Sequence, residues 1–129
     1  MKKLSDPRHQ KRVEKFKSLF SYSFGNHTIS VELKPSPEIV LIIDNLKKID
    51  DYIQGAAPEW PVDRLNKVDL AILRLAVYEL LVEKKTPPKV VIDEAVELGK
   101  RYGSENTPKF VNGVLGALLK KDREDNKSN

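Results

Sequence analysis

A chain of 129 residues with a formal net charge of +4, 40% hydrophobic and 33% charged, has room for one domain or two small lobes. Its longest apolar run, Ile39 to Ile43, is five residues, far short of the ~18 that a membrane span needs. The start, Met1 to Pro7, has a basic flank without an apolar stretch behind it, so no signal peptide is expected. The absence of cysteine excludes disulfide frameworks, thiolate zinc sites and cysteine nucleophiles, and a cytoplasmic location is expected.

The charge is unevenly divided. Residues 1–17 hold seven basic side chains (Lys2, Lys3, Arg8, Lys11, Arg12, Lys15, Lys17) against Asp6 and Glu14, a net +5, whereas the other 112 residues sum to −1. Such asymmetry suggests a polyanion-binding arm on a neutral body. A solvated basic helix face at the terminus is the alternative that charge alone leaves open.

Five segments read as helices, and strand signals are nearly absent. Asp6-Pro7 pairs an N-cap with proline at the first helical position. Val13, Phe16, Phe20 and Phe24 then form one apolar stripe down to Gly25, with Arg8, Lys11 and Lys15 on a separate polar face. Thr28 to Leu33 alternates like a strand but has no partner strand, and reads as a loop or a short helix. Ser36-Pro37 repeats the cap, and Ile39, Ile42, Leu46, Ile49 and Ile53 carry one helix to Gly55. Ala56 to Pro61 reads as a turn with Trp60 as a packed anchor.

One long helix is predicted over Val62 to Glu83, stopped by Thr86-Pro87-Pro88. Another spans Lys89 to Tyr102, and the last starts at the cap-proline pair Thr107-Pro108. After Lys120 no apolar residue remains, so residues 121–129 are expected to be a disordered tail. The fold expected is all-α: a single domain over residues 1–120, built as two stacked three-helix lobes of about 6–55 and 61–120.

Catalytic constellations are missing. His9 and His27 lie outside any ligand spacing, so no metal site is expected. Gly113-Val-Leu-Gly116 lacks the lysine and preceding strand of a phosphate loop. Carboxylate pairs such as Asp93/Glu94 and Glu94/Glu97 read as helix-surface charges. No catalytic residue and no cofactor is therefore expected. Gly99 and Gly113 inside helical patterns suggest a close approach by a neighbouring backbone or a partner. Asn112, in an otherwise apolar run, would either cap a neighbouring helix or face a nucleic acid.

Several segments resemble the NusB family of transcription antitermination proteins. They are Lys109-Phe-Val-Asn-Gly-Val-Leu115, Val68-Asp-Leu-Ala-Ile-Leu-Arg-Leu-Ala-Val-Tyr-Glu-Leu-Leu81, Thr86 to Lys100, Ile49 to Ile53, and Trp60. The likeness is close over residues 49–119, looser over 1–25 and weak over 26–48. It implies a non-enzymatic two-lobed helical protein. Such a protein binds a boxA-like single-stranded RNA together with the ribosomal protein NusE, and through them reaches the RNA polymerase elongation complex to suppress termination, notably in ribosomal RNA transcription.

Carried over residue by residue, the resemblance puts Lys3, Arg8, Lys11 and Arg12 on RNA phosphates and Lys109, Phe110 and Asn112 beside the same RNA path. It puts Phe20, Arg74 and Glu79 against the protein partner. The family often has a basic residue where Leu70 stands and an acidic one where Gly116 stands. Two other readings stay open. One is an RNA-binding accessory domain related to RNA cytosine methyltransferases, for which the chain offers no catalytic domain. The other is a helical homodimer that hides its RNA surface.

Overall fold

The computed structural model describes residues 6–24 and 36–127, and among them every regular element is helical. The Thr28 to Leu33 segment, Gly25 and Lys3 lie outside the described residues.

Helix α1 spans Pro7–Tyr22; the Asp6 carboxylate accepts from the Arg8 backbone N–H at 2.9 Å, as the cap signal predicts. Its buried stripe is His9, Arg12, Phe16 and Leu19, with Val13 and Phe20 only partly buried and Phe24 59% exposed. The burying face is thus turned from the expected one, because two polar residues find partners inside the protein.

Ser36 caps α2 (Pro37–Asp44), accepting from the Ile39 N–H at 3.3 Å. The single helix expected up to Gly55 is broken at Asn45, whose side-chain amide donates back to the Leu41 carbonyl at 2.8 Å while its backbone leaves the helical region (φ −103°, ψ 12°). An asparagine that bonds the preceding turn competes with helix continuation. Helix α3 (Leu46–Ala56) follows and buries Ile49 and Ile53 completely.

The turn after α3 is held by Gln54, whose amide donates to the Ala57 and Trp60 carbonyls and accepts from the Val62 N–H. Trp60 itself is 58% exposed, so the packed anchor expected from sequence is corrected. Backbone polar groups rather than the indole hold this turn.

The tract predicted as one helix over Val62 to Glu83 has three parts. A 3-10 turn at Val62–Arg64 ends in extended backbone at Leu65. Asn66 then caps α4 (Lys67–Val77), accepting from Val68 N–H at 2.8 Å. The chain continues as a π-helical segment, Tyr78–Glu83, closed by Lys84 in the left-handed region (φ 56°) with its N–H on the Glu79 carbonyl.

Every residue from Leu70 to Leu81 is buried, and α4 packs against α1, α3, α5 and α6. The amino- and carboxy-terminal halves therefore share one core. Leu70, where the family resemblance raises a basic residue, is 3% exposed and belongs to that core.

Helix α5 (Pro88–Tyr102) packs most extensively on α6 (Thr107–Lys127). Gly99 supplies the close approach expected of it: an added Cβ would lie 3.1 Å from Thr107 Cγ2 and 3.3 Å from the Pro108 nitrogen. Gly113 does not, since a Cβ there would meet nothing within 4 Å. Asn112 is exposed, and α6 continues through residues expected to be a disordered tail, with Asn126 near Asp122 one turn earlier at 3.5 Å and Lys84 3.9 Å from Asp122. No helix among the described residues is long and apolar enough to cross a membrane.

Candidate nucleic-acid interface

Over its first six residues α1 divides its side chains by chemistry. Arg8 and Lys11 face solvent, while His9 and Arg12, on the adjoining face, are each 8% exposed. Arg12 grips Glu79 of the π-helical segment with its fork: Nε lies 3.2 and 3.1 Å from the two carboxylate oxygens and Nη2 lies 2.8 Å from Oε1. Its Nη1 is 3.8 Å from Glu94 of α5, and His9 Nδ1 lies 3.0 Å from the other Glu94 oxygen. Four buried polar side chains thus tie three elements together.

Burial works against the Arg12 charge, but the hydrogen bond and charge of Glu79, with Glu94 and Glu83 behind it, prevail and hold the guanidinium above its ordinary pKa. Glu79 is 7% exposed and Glu94 6%. Arg74, 8% exposed, is occupied in the same way on the other side of the core. Its Nε and Nη2 donate to the two oxygens of Asp50 at 2.9 Å each, joining α4 to α3.

Arg12, which the resemblance puts on RNA, and Arg74 and Glu79, which it puts against the protein partner, are thus engaged within the chain. In this chain each is buried and paired, because a charge removed from water needs a charged, hydrogen-bonded partner. Sequence could not pair them: Arg12 and Glu79 are 67 residues apart. The signal for burial was there, since His9, Arg12, Phe16 and Leu19 step by three, four and three.

The solvent-facing cations of the described part of α1 are Arg8, Lys11 and Lys17, with Lys15 half-buried. Lys11 and Lys15 lie in the field of Glu38 at the start of α2. The Glu38 carboxylate, bonded to its own backbone N–H and drawn by Lys15, then by the Ser36 hydroxyl and Lys11, sits below the usual carboxylate range.

A groove of about 460 Å³ between α5 and α6 is lined by Lys109, Asn112, Lys100, Asp93 and Glu97, among others. It brings two of the three carboxy-terminal candidates together. The third, Phe110, is half-buried and packs against the core. Lys100 lies 3.6 Å from Glu97, which leaves Lys109, Asn112 and Asp93 as the less encumbered polar groups of a groove whose charges balance. Phe20, the remaining candidate, is half-buried between Phe16 and Phe24, with ring centroids at 6.3 and 4.9 Å.

A larger groove of about 790 Å³ between α3 and α6 mixes Lys47, Lys48 and Lys121 with Asp44, Asp51, Asp122 and Asp125, so it offers a polyanion no net attraction. Among the described residues, no three His, Asp or Glu side chains are grouped to hold a metal ion.

The comparisons with known proteins agree with this architecture. The transcription antitermination protein NusB of Thermotoga maritima is 40% identical over 132 residues, covering 91% of this chain and 93% of that protein. The NusB of Roseiflexus castenholzii is 53% identical over 81 residues, but that match spans only 57% of its length and 61% of this chain. A solved structure of T. maritima NusB superposes with a TM-score of 0.78 over 91% of this chain and 93% of its own. A crystal structure of the antitermination factors NusB and NusE in complex with dsRNA contains a chain that superposes at 0.73, with 27% identity, over 90% of this chain and 99% of that one. The model of the NusB family matches residues 39–120. The shared helices, the burial of the central one and the extent of these matches lead to one conclusion: the chain belongs to the NusB family.

Proposed function

We propose that this chain is a non-catalytic transcription antitermination factor. It binds a boxA-like single-stranded RNA together with the ribosomal protein NusE, and through that assembly acts on the RNA polymerase elongation complex, notably during ribosomal RNA transcription. The observation that carries the reading is the division of α1, with Arg8 and Lys11 in solvent while His9 and Arg12 bind the protein's own carboxylates. Cations presented in this way suit phosphates, which contribute affinity without sequence information.

The proposed RNA contacts are Lys3, Arg8 and Lys11 from the amino-terminal arm and Lys109, Phe110 and Asn112 from the start of α6. Phe20, with exposed Phe24 beside it, is the proposed centre of the partner face. Arg12, Glu79 and Arg74 would support these faces from beneath, since their charged ends are engaged inside the chain. Few exposed aromatics accompany the basic residues, and sequence choice in a single strand needs stacking and base-edge bonds. Isolated protein should therefore bind RNA weakly, with selectivity appearing when NusE adds a second surface.

Filter binding to boxA-like and scrambled RNA, each with and without NusE, tests this. Preferential binding of boxA-like RNA in the presence of NusE supports the proposal; equal affinity in all four mixtures contradicts it.

A further inference from the structure

The amino-terminal turns of α1 have no apolar anchor. From Pro7 to Arg12 the buried side chains are His9 and Arg12 alone, and the apolar contacts begin at half-buried Val13 and buried Phe16. Six residues of helix rise about 9 Å, and over that length the buried side chains that dock α1, His9 and Arg12, are polar. The segment bearing Arg8 and Lys11 is held by carboxylates on two other elements, Glu79 and Glu94.

We infer that Glu79 and Glu94 are positioning residues for RNA binding. Through Arg12 and His9 they fix the start of α1, so that Arg8 and Lys11 stand at a set distance from Lys109 and Asn112 across α5. The inference rests on the RNA-binding reading above and adds to it a role for two buried acids that touch no RNA.

The geometry favours position over stability as their use. Replacing a whole buried ion pair by well-packed apolar groups is often neutral or stabilising, even though removing one partner alone is costly, so net stability does not account for the presence of the pair. A bidentate arginine fork does fix orientation, because both parallel bonds must be satisfied at once. Glu94 adds a second point of attachment on α5, whose next turn bears Glu97 in the groove that holds Lys109 and Asn112.

The role has a sign that simple electrostatics does not share. Removing a negative charge near a polyanion site strengthens binding when the charge merely repels. Glu38, half-exposed and close to Lys15 and Lys11, is such a charge, and Glu38→Gln should tighten RNA binding modestly. Glu79→Gln and Glu94→Gln should do the reverse. If the arm is correctly placed about a tenth of the time, the apparent Kd rises about tenfold.

The experiment measures the affinity of the full-length protein for a boxA-like RNA that the wild type binds, for the three single variants and for Arg12→Lys, with helicity monitored by circular dichroism. Weaker binding by Glu79→Gln and Glu94→Gln, at retained helicity and alongside tighter binding by Glu38→Gln, is the result expected. Arg12→Lys keeps the charge but loses the fork, so it should weaken binding as the glutamate variants do. If Arg12 met RNA phosphate directly as a cation, the lysine would preserve binding and the inference would fail. Unchanged or tighter binding by Glu94→Gln also overturns it, and that variant decides the matter should Glu79→Gln not fold. Failure of wild-type protein to bind the RNA would instead count against the RNA-binding reading itself.

Discussion

The Thr107 hydroxyl donates to Asp69 Oδ1 at 2.7 Å and accepts from the Ser104 N–H at 3.0 Å, so one buried side chain ties the start of α6 to α4. In the sequence, Thr107-Pro108 reads as a cap for its own helix. In the structure Thr107 is the first helical residue, 1% exposed, and its hydroxyl bonds across to another element. Thr107→Val keeps the shape and leaves Asp69 and the Ser104 N–H without this partner. It should cost about 1–2 kcal/mol, read as a lower urea midpoint at unchanged slope; an unchanged midpoint would contradict that role.

Two glycines should respond oppositely to alanine. A Cβ at Gly103 would stand 2.5 Å from the Thr107 side chain, and relieving that overlap should cost about 1–3 kcal/mol. A Cβ at Gly113 meets nothing within 4 Å, so Gly113→Ala should gain up to about 1 kcal/mol from helix propensity. Thermal unfolding of the pair checks the order, and destabilisation by Gly113→Ala would mean that the exposed α6 face packs against something.

The Arg74–Asp50 pair predicts another asymmetry. The Arg74 side chain is 10% exposed and Asp50 26%, so removing Asp50 strands the more deeply buried charge. Asp50→Ala should therefore destabilise more than Arg74→Met, with the former costing about 3 kcal/mol. Equal or inverted losses in chemical denaturation would refute this reading of the pair.

Burial, then the charges of Glu83, Glu38 and Glu79, push the Tyr78 hydroxyl above the ordinary tyrosine range. The folded state thus holds this proton more tightly than the unfolded chain does. Its contribution to stability is complete below about pH 10 and is lost as pH rises through the raised folded value. In an ultraviolet titration of the folded protein, Tyr78→Phe should remove a component that ionises above the ordinary tyrosine range. An alkaline end of the curve unchanged by Tyr78→Phe would contradict the assignment.

Much of the helical order was legible because three cap-proline pairs and the glycines at the ends of α3 and α5 mark chain positions by local chemistry. Asn45 and Asn66, which break the two longer predicted helices, act through side-chain bonds to nearby backbone and carry a weaker signal than proline. The π-helical turn around Glu79 has no marker of its own. Charge counting located the basic arm but could not sort it, because the distinction between Lys11 in solvent and Arg12 inside depends on acids 67 and 82 residues away. Trp60 shows the converse limit: a large aromatic between two prolines reads as an anchor, yet Gln54 holds that turn and leaves the ring outside.

The central claim is that solvent-facing cations on α1 meet RNA phosphates, and the salt dependence of RNA binding tests it most directly. With three to five such contacts, the log–log slope of affinity against salt for single-stranded RNA should be about −2 to −3.5. Replacing Arg8 and Lys11 together by glutamine, with buried Arg12 left in place, should weaken binding and make the slope shallower by about 1.4. Identical affinity and slope for this double variant and the wild type at every ionic strength would contradict the account.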